Sequence, residues 1–410
     1  MSATAVFAVT ARMKILIFTS LFPNRAQPSL GGFVYQRVAH LAARSGNQVE
    51  VIAPVPYVPS WLRSSHWGRA AQIPGEEQIG SLRVFHPRYP LLPKVSMPFH
   101  GRLMYLGSLG RALEIYRRMK FDCIDAHYIY PDAYAAILLR RRLNVPVVVS
   151  ARGTDINVFP NLRLIRPMIS QTLSRAAGII AVSAALKDAM VALGAPPEKI
   201  RVIANGVDAE RFHPVDRAAA RRQTAIPESA RAIVSVGALL PVKGHHALID
   251  AMSSLAPKFP DLKLYIVGDG PLRGDLENSI RQRGLTDRIF LVGNKPNEEL
   301  PLWYSAADVT CLASLREGMP NVVLESLACG TPVVATRVGG TPEALVSDKL
   351  GLLVATDAGA IAAGLEAALR RTWDRTAISN HARQRDWAAV AEEVENYLRS
   401  IIGREDSASS

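Results

Sequence analysis

A chain of 410 residues is too long for one ordinary hydrophobic core, so two domains are expected. Apolar residues make up 49% of the sequence and charged residues 20%, which excludes an intrinsically disordered chain. The three cysteines have no CxxC spacing, which argues against a disulfide framework and against a structural zinc site.

Positive charge is concentrated in the first half of the chain. Up to Asn205 there are 25 Lys and Arg against 10 Asp and Glu, and the remainder has 23 against 26, which together give the net charge of +12. An anionic partner is therefore expected for the first half, and a membrane surface, a phosphorylated substrate and nucleic acid all fit. The basic residues are scattered and no nucleic-acid recognition motif accompanies them, so we expect no nucleic-acid partner.

The first residues predict a buried strand and no signal peptide. The apolar residues 5–9 have no Lys or Arg before them, and Arg12 and Lys14 interrupt the apolar stretch. No apolar run in the sequence approaches the roughly 18 to 20 residues that a bilayer requires. We therefore predict a cytoplasmic protein, either free or bound peripherally to the inner face of the plasma membrane.

Short β-branched runs alternate with longer amphipathic segments in both halves, which predicts an α/β fold with parallel sheets flanked by helices. We place one domain at residues 13–208 and a second at 209–386. Residues 387–402 have one apolar stripe at helical spacing, and this helix either closes the second domain or packs back on the first. The predicted strands are Ile15–Phe18, Val49–Ala53, Cys123–Ala126, Val145–Val149, Gly178–Val182, Arg201–Ile203, Ala232–Val236, Lys263–Val267, Ile289–Leu291, Val309–Leu312, Val333–Ala335 and Gly351–Val354.

Three segments that follow strands of the first domain are candidate ligand loops. Gly31 and Gly32 precede a predicted helix, where backbone could approach a ligand closely. His127 and the segment Arg152–Asp155 come after later strands, at the sheet edge where wound folds bind ligands. Each also has an ordinary structural interpretation: a plain turn, a buried histidine and, for Asp155, an Asx turn.

The stretch Arg316–Glu325 carries the most information about function. It follows the strand Val309–Leu312, and its Gly318–Asn321 segment leads into a helix whose free amides and dipole suit a diphosphate. Two carboxylates beside a phosphate site need a task other than binding phosphate. We predict that Glu317 accepts hydrogen bonds from hydroxyls of a transferred sugar and that Glu325 accepts them from a ribose diol.

This E-x₇-E block, with the Gly-Thr-Pro-Val-Val that follows it, resembles the family 4 glycosyltransferases. The segments Val236–Gly244, Ile266–Pro271 and Asn205–Asp208 match the same family in order, and the resemblance covers roughly residues 13–400. It implies a retaining hexosyltransferase of the GT-B fold, in which two Rossmann-like domains face a central cleft that holds the donor. Family members usually have an arginine where this chain has Ala238, so either Lys243 carries more of the phosphate charge or an arginine such as Arg316 substitutes.

The resemblance also assigns roles to individual residues. It implies that Lys243, Glu317 and His127 take part in the chemistry, and that Gly31, Arg152 and Asp155 border the acceptor. No Asp-x-Asp metal motif is evident, so we expect neither a metal nor a cofactor. The expected donor-binding residues are Gly32, Gly237, Lys243, Gly268, Gly270, Asn294, Glu317, Gly318, Met319, Pro320, Asn321 and Glu325.

Two segments of the first domain suit a membrane-bound acceptor. Trp61–Arg69 mixes tryptophan with arginine, and Val95–Lys120 is either a basic amphipathic helix on anionic lipid or an ordinary core-facing helix. Thr19–Pro23 and Pro87–Pro90 are similar to bacterial exopolysaccharide and teichuronic-acid-type members, which implies a lipid-linked or oligosaccharide acceptor in cell-surface polysaccharide synthesis. The alternatives are a nucleotide-sugar 2-epimerase of the same fold and a non-catalytic subunit that binds donor or lipid.

Overall fold

A computed structural model describes residues 12–44, 46–59, 68–91 and 96–409. The chain forms two compact units: one runs to Ile203 and resumes at Ala388, and the other is Ala204–Trp387. Residues 61–67 and Val95, which belong to the two segments predicted to suit a membrane-bound acceptor, lie outside the described residues. Of the helices within the described ranges, none combines the length and apolar character needed to cross a membrane.

The first unit is built on a sheet in which eight described strands pair. Its central strands are buried because helices cover both faces, and most of their residues are apolar, as in β1, where Ile15–Phe18 is fully buried. The strands of this unit are β1 Lys14–Phe18, β2 Gln48–Ile52, β3 Val55–Pro56, β4 Glu76–Ile79, β5 Leu82–Phe85, β6 Arg88–Tyr89, β7 Cys123–His127, β8 Val147–Ala151, β9 Gly178–Ala181 and β10 Ile200–Val202. The order across the sheet is β10-β9-β8-β7-β1-β2-β5-β4, with β3 and β6 paired separately.

The second unit has a sheet whose described strands all run parallel. They are β11 Arg231–Val236, β12 Leu262–Val267, β13 Ile289–Gly293, β14 Val309–Leu312, β15 Val333–Thr336 and β16 Gly351–Val354. Their order is β13-β12-β11-β14-β15-β16, which is the 3-2-1-4-5-6 order of a Rossmann fold. The predicted α/β class with parallel sheets is confirmed.

Helices connect successive strands and cover both sheets. The helices are α1 Gly32–Ala43, α2 Gly68–Ala71, α3 His100–Met119, α4 Tyr134–Leu143, α5 Thr154–Asn157, α6 Arg166–Arg175, α7 Ala184–Ala192, α8 Arg217–Thr224, α9 His245–Leu255, α10 Arg273–Gln282, α11 Leu300–Ala306, α12 Asn321–Ala328, α13 Thr341–Ala344, α14 Ala358–Arg370, α15 Arg375–Arg383 and α16 Trp387–Ser409. The predicted helix 387–402 begins at the same residue as α16, because the apolar stripe that predicted it is also the face that is buried.

The last helix, α16, packs on the first unit. The Tyr397 hydroxyl donates to the Lys199 carbonyl oxygen over 2.6 Å and accepts from the Ile179 amide over 3.1 Å. Arg44 Nε donates to Glu395 Oε2 over 2.8 Å, and Glu395 is almost completely buried. Of the two placements that the sequence leaves open for this helix, its contacts are with the first unit.

The strand order identifies one point in each sheet where the chain reverses its direction of progress. In the first unit the reversal lies between β1 and β7, and in the second between β11 and β14. Ligands of open α/β sheets bind at such points, outside the carboxyl ends of the strands. The loops that follow β1, β11 and β14 carry Gly31, Lys243 and Glu317, and His127 is the last residue of β7.

Candidate functional site

The loops after β11 and β14 bring an ammonium and a carboxylate together. Lys243 Nζ donates to Glu317 Oε1 over 2.7 Å, and the two side chains remain 24% and 11% exposed. The backbone holds the loops in place, because the Leu315 amide donates to the Val242 carbonyl oxygen over 2.8 Å. A Cβ atom on Gly244, which has φ 65°, would lie 2.0 Å from the Ala313 carbonyl oxygen, so only glycine allows this approach.

Helix α12 begins directly after Glu317–Pro320. Its capping residue is Pro320, whose side chain has no oxygen to accept hydrogen bonds from the first-turn amides. Gly318 and Met319 are buried, and the Asn321 side chain is oriented by a 2.9 Å hydrogen bond from Asn205 Nδ2 to its Oδ1. A helix start without a side-chain cap, beside the Lys243 ammonium, is an anion-binding arrangement.

Glu325 lies on the second turn of α12 and is partly buried. The hydroxyl of buried Tyr304 donates to its Oε2 over 2.8 Å. Burial raises the pKa of Glu325 to about 7, although the Tyr304 hydrogen bond works in the opposite direction. This carboxyl group therefore changes its charge near neutral pH, and one of its oxygens already has a donor.

Two glycine-bearing turns, which follow β11 and β12, pack against each other beside Lys243. A Cβ on Gly268 would lie 2.0 Å from the Gly237 carbonyl oxygen, and one on Gly270 would lie 2.7 Å from that of Leu239. A Cβ on Gly237 would lie 3.8 Å from Lys243 Cδ, so the lysine stem passes over this glycine. Asn294, which follows β13, is exposed. The Lys243 side chain thus lies over Gly237, and the turn with Gly268 and Gly270 packs beside it.

A second glycine pair, absent from the sequence-based site, supports Glu317. A Cβ on Gly339, which has φ 51°, would lie 2.0 Å from the Glu317 carbonyl oxygen. The Gly340 amide donates to the Gly318 carbonyl oxygen over 3.0 Å. The sequence could have indicated this pair, because it lies between a strand and a helix, as the glycine pair at Gly31 does.

In the first unit, Gly31 determines how the loop after β1 enters α1. It has φ 62°, and a Cβ there would lie 2.2 Å from the Leu21 carbonyl oxygen. Gly31 caps α1 without a side-chain hydrogen bond, and Gly32 has open space around its Cβ position. The first-turn amides of α1 are therefore approachable by a ligand.

His127 is the last residue of β7, is fully buried, and contacts two arginines. Arg152 Nη2 lies 2.5 Å from His127 Nδ1, and Arg37 Nη2 lies 3.3 Å from Nε2. Since a guanidinium only donates, Nδ1 accepts from Arg152, while Nε2 lies between the Arg37 guanidinium and Asp125 Oδ2, 3.4 Å from that carboxylate oxygen. In this structure both ring nitrogens of His127 contact side chains of the chain itself.

Burial and neighbouring charges perturb the pKa values of His127, Asp125 and Arg152. Burial, reinforced by the Arg37 charge, lowers the pKa of His127 to about 3, so the imidazole is neutral at physiological pH. Burial opposes ionisation of Asp125, but Arg37 and His127 together outweigh it and lower the pKa of that carboxyl group. Burial and the Arg37 charge also lower the pKa of Arg152, to about 9.

Asp155 acts on the backbone of its own turn and of the neighbouring loop. Its carboxylate oxygens accept from the amides of Gly153 over 2.8 Å, Arg152 over 3.1 Å and Ile129 over 2.8 Å. The side chain is fully buried. The Asp155 carboxylate is thus occupied by amides that precede it in the chain, which is not an Asx turn, because in an Asx turn the side chain accepts from the amide two residues later. The Arg152 guanidinium lies 5.3 Å from the centre of the Phe33 ring, next to Gly32.

The buried pair of Arg37 and Asp125 is the part of this cluster that sequence reasoning missed. Arg37 lies on the buried face of α1 with Val34, Val38 and Leu41. A charged residue at a core-facing position of an amphipathic helix is the signal that could have found it. Within the described ranges, no group of three or more His, Cys, Asp or Glu side chains could hold a metal ion.

The chain matches two glycosyltransferase family descriptions. Residues 32–211 match "Glycosyltransferase Family 4" and residues 216–385 match "Glycosyl transferases group 1". A D-inositol 3-phosphate glycosyltransferase of Corynebacterium aurimucosum is 30% identical over 395 residues, which cover 90% of each chain. The putative teichuronic acid biosynthesis glycosyltransferase TuaC of Bacillus subtilis is 29% identical over 339 residues, 80% of this chain and 82% of the relative.

Solved structures share the fold at lower identity. A sucrose-phosphate synthase from Thermosynechococcus elongatus superposes with a TM-score of 0.78 at 21% identity, covering 96% of this chain and 100% of that chain. Anabaena HepE, solved in complex with UDP and glucose, has a TM-score of 0.72 at 20% identity and covers 95% of this chain and 100% of that chain.

Proposed function

Because the chain belongs to the family 4 glycosyltransferases of the GT-B fold, we propose that it transfers a hexose from a nucleoside-diphosphate sugar to a lipid-linked saccharide with retention of configuration. The observation that carries this proposal is the contact of Lys243 with Glu317 beside the start of α12. A cation and free amides suit the diphosphate, and the carboxylate suits the sugar hydroxyls.

The roles of the site residues follow from this placement. Lys243 and the first amides of α12 stabilise the negative charge that grows on the departing nucleoside diphosphate. The bond from the anomeric carbon to the phosphate oxygen breaks, the acceptor oxygen bonds to the same face of that carbon, and the acceptor proton passes to the leaving phosphate. Glu317 holds hydroxyls of the transferred sugar, and Glu325 holds the ribose diol.

His127 has a different part in the proposal. Its neutral imidazole is a hydrogen-bonding group and no nucleophile, and Arg152 and Arg37 fix its orientation. Arg152 occupies Nδ1 of His127. For His127 to contact the transferred sugar or the acceptor directly, Arg152 must move away from Nδ1. Otherwise the ligand contacts Arg152, which in turn contacts His127. Gly31 and Gly32 contribute backbone at the same edge of the sheet.

The amides and the lysine take the role that a divalent cation has in other nucleotide-sugar enzymes, and we propose that turnover needs no metal. Turnover that persists in excess EDTA supports this part of the proposal. Turnover that EDTA abolishes and Mg²⁺ or Mn²⁺ restores contradicts it.

The lipid-linked acceptor is supported by the surface of α3 and by the name of one relative, which refers to teichuronic acid biosynthesis. Phe99 and Leu106 are 56% and 63% exposed, and Arg102 and Arg117 are exposed on the same helical segment. Exposed apolar side chains interleaved with arginines suit an anionic membrane surface. The opposite face of α3 is buried, so this helix also packs on the first unit.

A flotation assay tests the membrane part of the proposal. The chain should float with vesicles of phosphatidylglycerol and phosphatidylcholine, and less with phosphatidylcholine alone. Leu106→Glu should weaken flotation, whereas Val346→Glu, at a residue of the second unit that is 62% exposed, should not. Absence of flotation of the unmodified chain with anionic vesicles contradicts it.

The donor part is tested by thermal unfolding with UDP-, GDP- and ADP-sugars, because a ligand that binds only the folded state raises the Tm. One nucleotide class should raise the Tm, and Lys243→Ala should abolish the shift. Release of free nucleotide that depends on an added saccharide acceptor supports transfer. Epimerisation without an acceptor would instead identify a 2-epimerase.

A further inference from the structure

A cavity of about 140 Å³ lies in the first unit at the carboxyl ends of β1, β2 and β5. Ser20, Ala53 and His86 come shortly after these strands and contribute to its wall. It is lined by residues other than Gly31, Gly32, His127 and Arg152, yet it is on the same edge of the sheet as those residues. Neither the sequence analysis nor the proposed mechanism gives this cavity a role.

The lining of the cavity combines apolar side chains with neutral polar groups and one histidine, His86. Phe22, Ile73 and Tyr89 are buried and offer apolar surface, and Asn24, Gln27 and Ser20 add amides and a hydroxyl. Among the described residues that line it there is no Lys, Arg, Asp or Glu. Phosphate recognition relies on cationic side chains or helix amides, whereas a sugar ring combines an apolar face with a rim of hydroxyls. The lining suits the sugar.

His86 forms a fixed wall of this cavity. Its Nδ1 lies 2.9 Å from the Ala53 carbonyl oxygen and its Nε2 lies 2.7 Å from Glu77 Oε1. Both partners are acceptors, so both ring nitrogens are engaged in orienting the ring. The imidazole is therefore a fixed part of the wall. The polar contacts with a ligand would come from the side-chain amides of Asn24 and Gln27.

Two amide side chains have hydrogen-bonding capacity left. Asn24 Oδ1 accepts from the amides of Ala26 over 3.1 Å and Gln27 over 2.9 Å, which holds the turn. Asn24 Nδ2 and the side-chain amide of Gln27 have no hydrogen-bond partner within the described part of the chain. Asn24 is buried and places its amide in the wall of the cavity. Gln27 is exposed and places its amide near the opening.

We propose that this cavity is a subsite for one uncharged pyranose ring of the acceptor saccharide, an inference that rests on the proposed function. Because a cavity of about 150 Å³ accepts one benzene ring and a pyranose is larger, part of the sugar ring and its hydroxyls lie at the opening, near Gln27. The apolar side chains contact one face of the sugar ring, and Asn24 Nδ2 donates to a hydroxyl. The acceptor unit bound here is a neutral sugar and carries no phosphate.

The experiment titrates the full chain with methyl pyranosides of glucose, galactose and mannose, and separately with inorganic phosphate. At least one methyl pyranoside should bind, and phosphate should not compete with it. Gln27→Leu removes one hydrogen-bonding group and Asn24→Asp removes a donor while keeping the turn acceptor. Each should weaken pyranoside binding about tenfold, the scale of one hydrogen bond. Gln78→Leu, at an exposed glutamine outside the cavity, should leave it unchanged.

The Tm shift with nucleotide sugars is measured on the same variants. An unchanged donor shift with weakened pyranoside binding assigns the defect to the cavity and leaves the donor site intact. Absence of binding by all three pyranosides, binding unaffected by Gln27→Leu and Asn24→Asp, or competition by phosphate would each overturn the subsite. Absence of any donor shift in the unmodified chain counts against the proposed function, whatever the pyranosides do.

Discussion

The Lys243 ammonium and the Glu317 carboxylate are hydrogen-bonded at 2.7 Å across two loops of the second unit. The attraction between the two opposite charges holds both side chains in place. Neither side chain therefore has to be ordered when a ligand binds. When a nucleotide sugar binds, its phosphates would contact Lys243 and its sugar hydroxyls would contact Glu317. The pair keeps the donor site preorganised.

Removing either partner should lower transfer by at least ~10²-fold, the scale of one lost transition-state contact. Lys243→Ala removes the cation that faces the leaving diphosphate, and Glu317→Gln removes the charged acceptor for sugar hydroxyls. Steady-state transfer assays with saturating donor measure the effect. Turnover close to that of the unmodified chain in either variant contradicts the assignment.

The matched control is an ion pair of the same unit that is far from the loops. Lys258, in the turn after α9, donates from Nζ to Glu366 Oε2 on α14 over 2.7 Å, and the two side chains are 53% and 26% exposed. Lys258→Ala and Glu366→Gln should leave turnover unchanged, because exposed pairs contribute little. Losses in these variants as large as those at Lys243 would indicate a general effect of charge.

Donor affinity should depend on pH through Glu325. Burial raises the pKa of Glu325 to about 7, and the ribose diol is best accepted by the ionised form. Lowering the pH below 7 protonates the carboxylate, so affinity should fall about tenfold for each further pH unit. Isothermal titration of the nucleotide between pH 6 and 8 measures it, and Glu325→Gln should flatten the dependence.

Tyr304→Phe provides the internal check on that prediction. The Tyr304 hydroxyl stabilises the ionised carboxylate through its 2.8 Å hydrogen bond. Its loss raises the pKa of Glu325 further, so the affinity curve should move to higher pH. A curve that moves to lower pH, or a pH dependence that survives in Glu325→Gln, rejects the explanation.

Gly339→Ala should impair turnover without direct contact with a substrate. The new Cβ would lie 2.0 Å from the Glu317 carbonyl oxygen, so the loop that carries this carboxylate must shift. Gly284→Ala is the matched control, because Gly284 also has a positive φ, 64°, but has no atom within 4 Å of its Cβ position. Both variants carry backbone strain of about 1 kcal/mol.

Assays at equal folded fraction separate these effects. We expect a loss of at least ~10-fold in turnover for Gly339→Ala and none for Gly284→Ala. Equal activity of the two variants means that the position of the Glu317 loop does not limit the reaction.

Arg37→Met should destabilise the first unit by about 3–5 kcal/mol, because it leaves Asp125 charged and buried without a partner. The double variant Arg37→Met/Asp125→Leu should recover part of the loss. Urea unfolding compares them with Arg83→Met, which breaks the exposed pair with Glu76 and should change the free energy of unfolding little. A cost for Arg37→Met that does not exceed that of Arg83→Met contradicts the prediction.

The sequence predicted the buried strands well because parallel strands covered on both faces are continuous apolar runs. It missed β4 and β5, since β4 is the edge strand and begins with Glu76, Glu77 and Gln78, which give no apolar run. Antiparallel pairing at an edge is decided by the neighbouring strand more than by local composition.

The sequence predicted those residues of the candidate site that lie close together within one motif. Glu317 and Glu325 lie within one short block, whereas Arg37 and Asp125 meet only in the fold, 88 residues apart. The sequence likewise assigned Lys243 and Glu317 separate tasks, and their direct contact emerges only from the packing of two loops. Contacts between distant segments are set by the whole sheet, which local patterns do not specify.

The placement of α16 has a consequence for biosynthesis. Its buried residues, among them Val394 and Leu398, complete a unit whose strands all precede Ala204. A ribosome that adds about 5–20 residues per second needs roughly ten to forty seconds to translate the intervening segment Ala204–Trp387. During that interval the nascent first unit has an apolar groove without its final helix, while the second unit emerges as one uninterrupted segment. Chaperone demand should therefore fall on the half that is translated first.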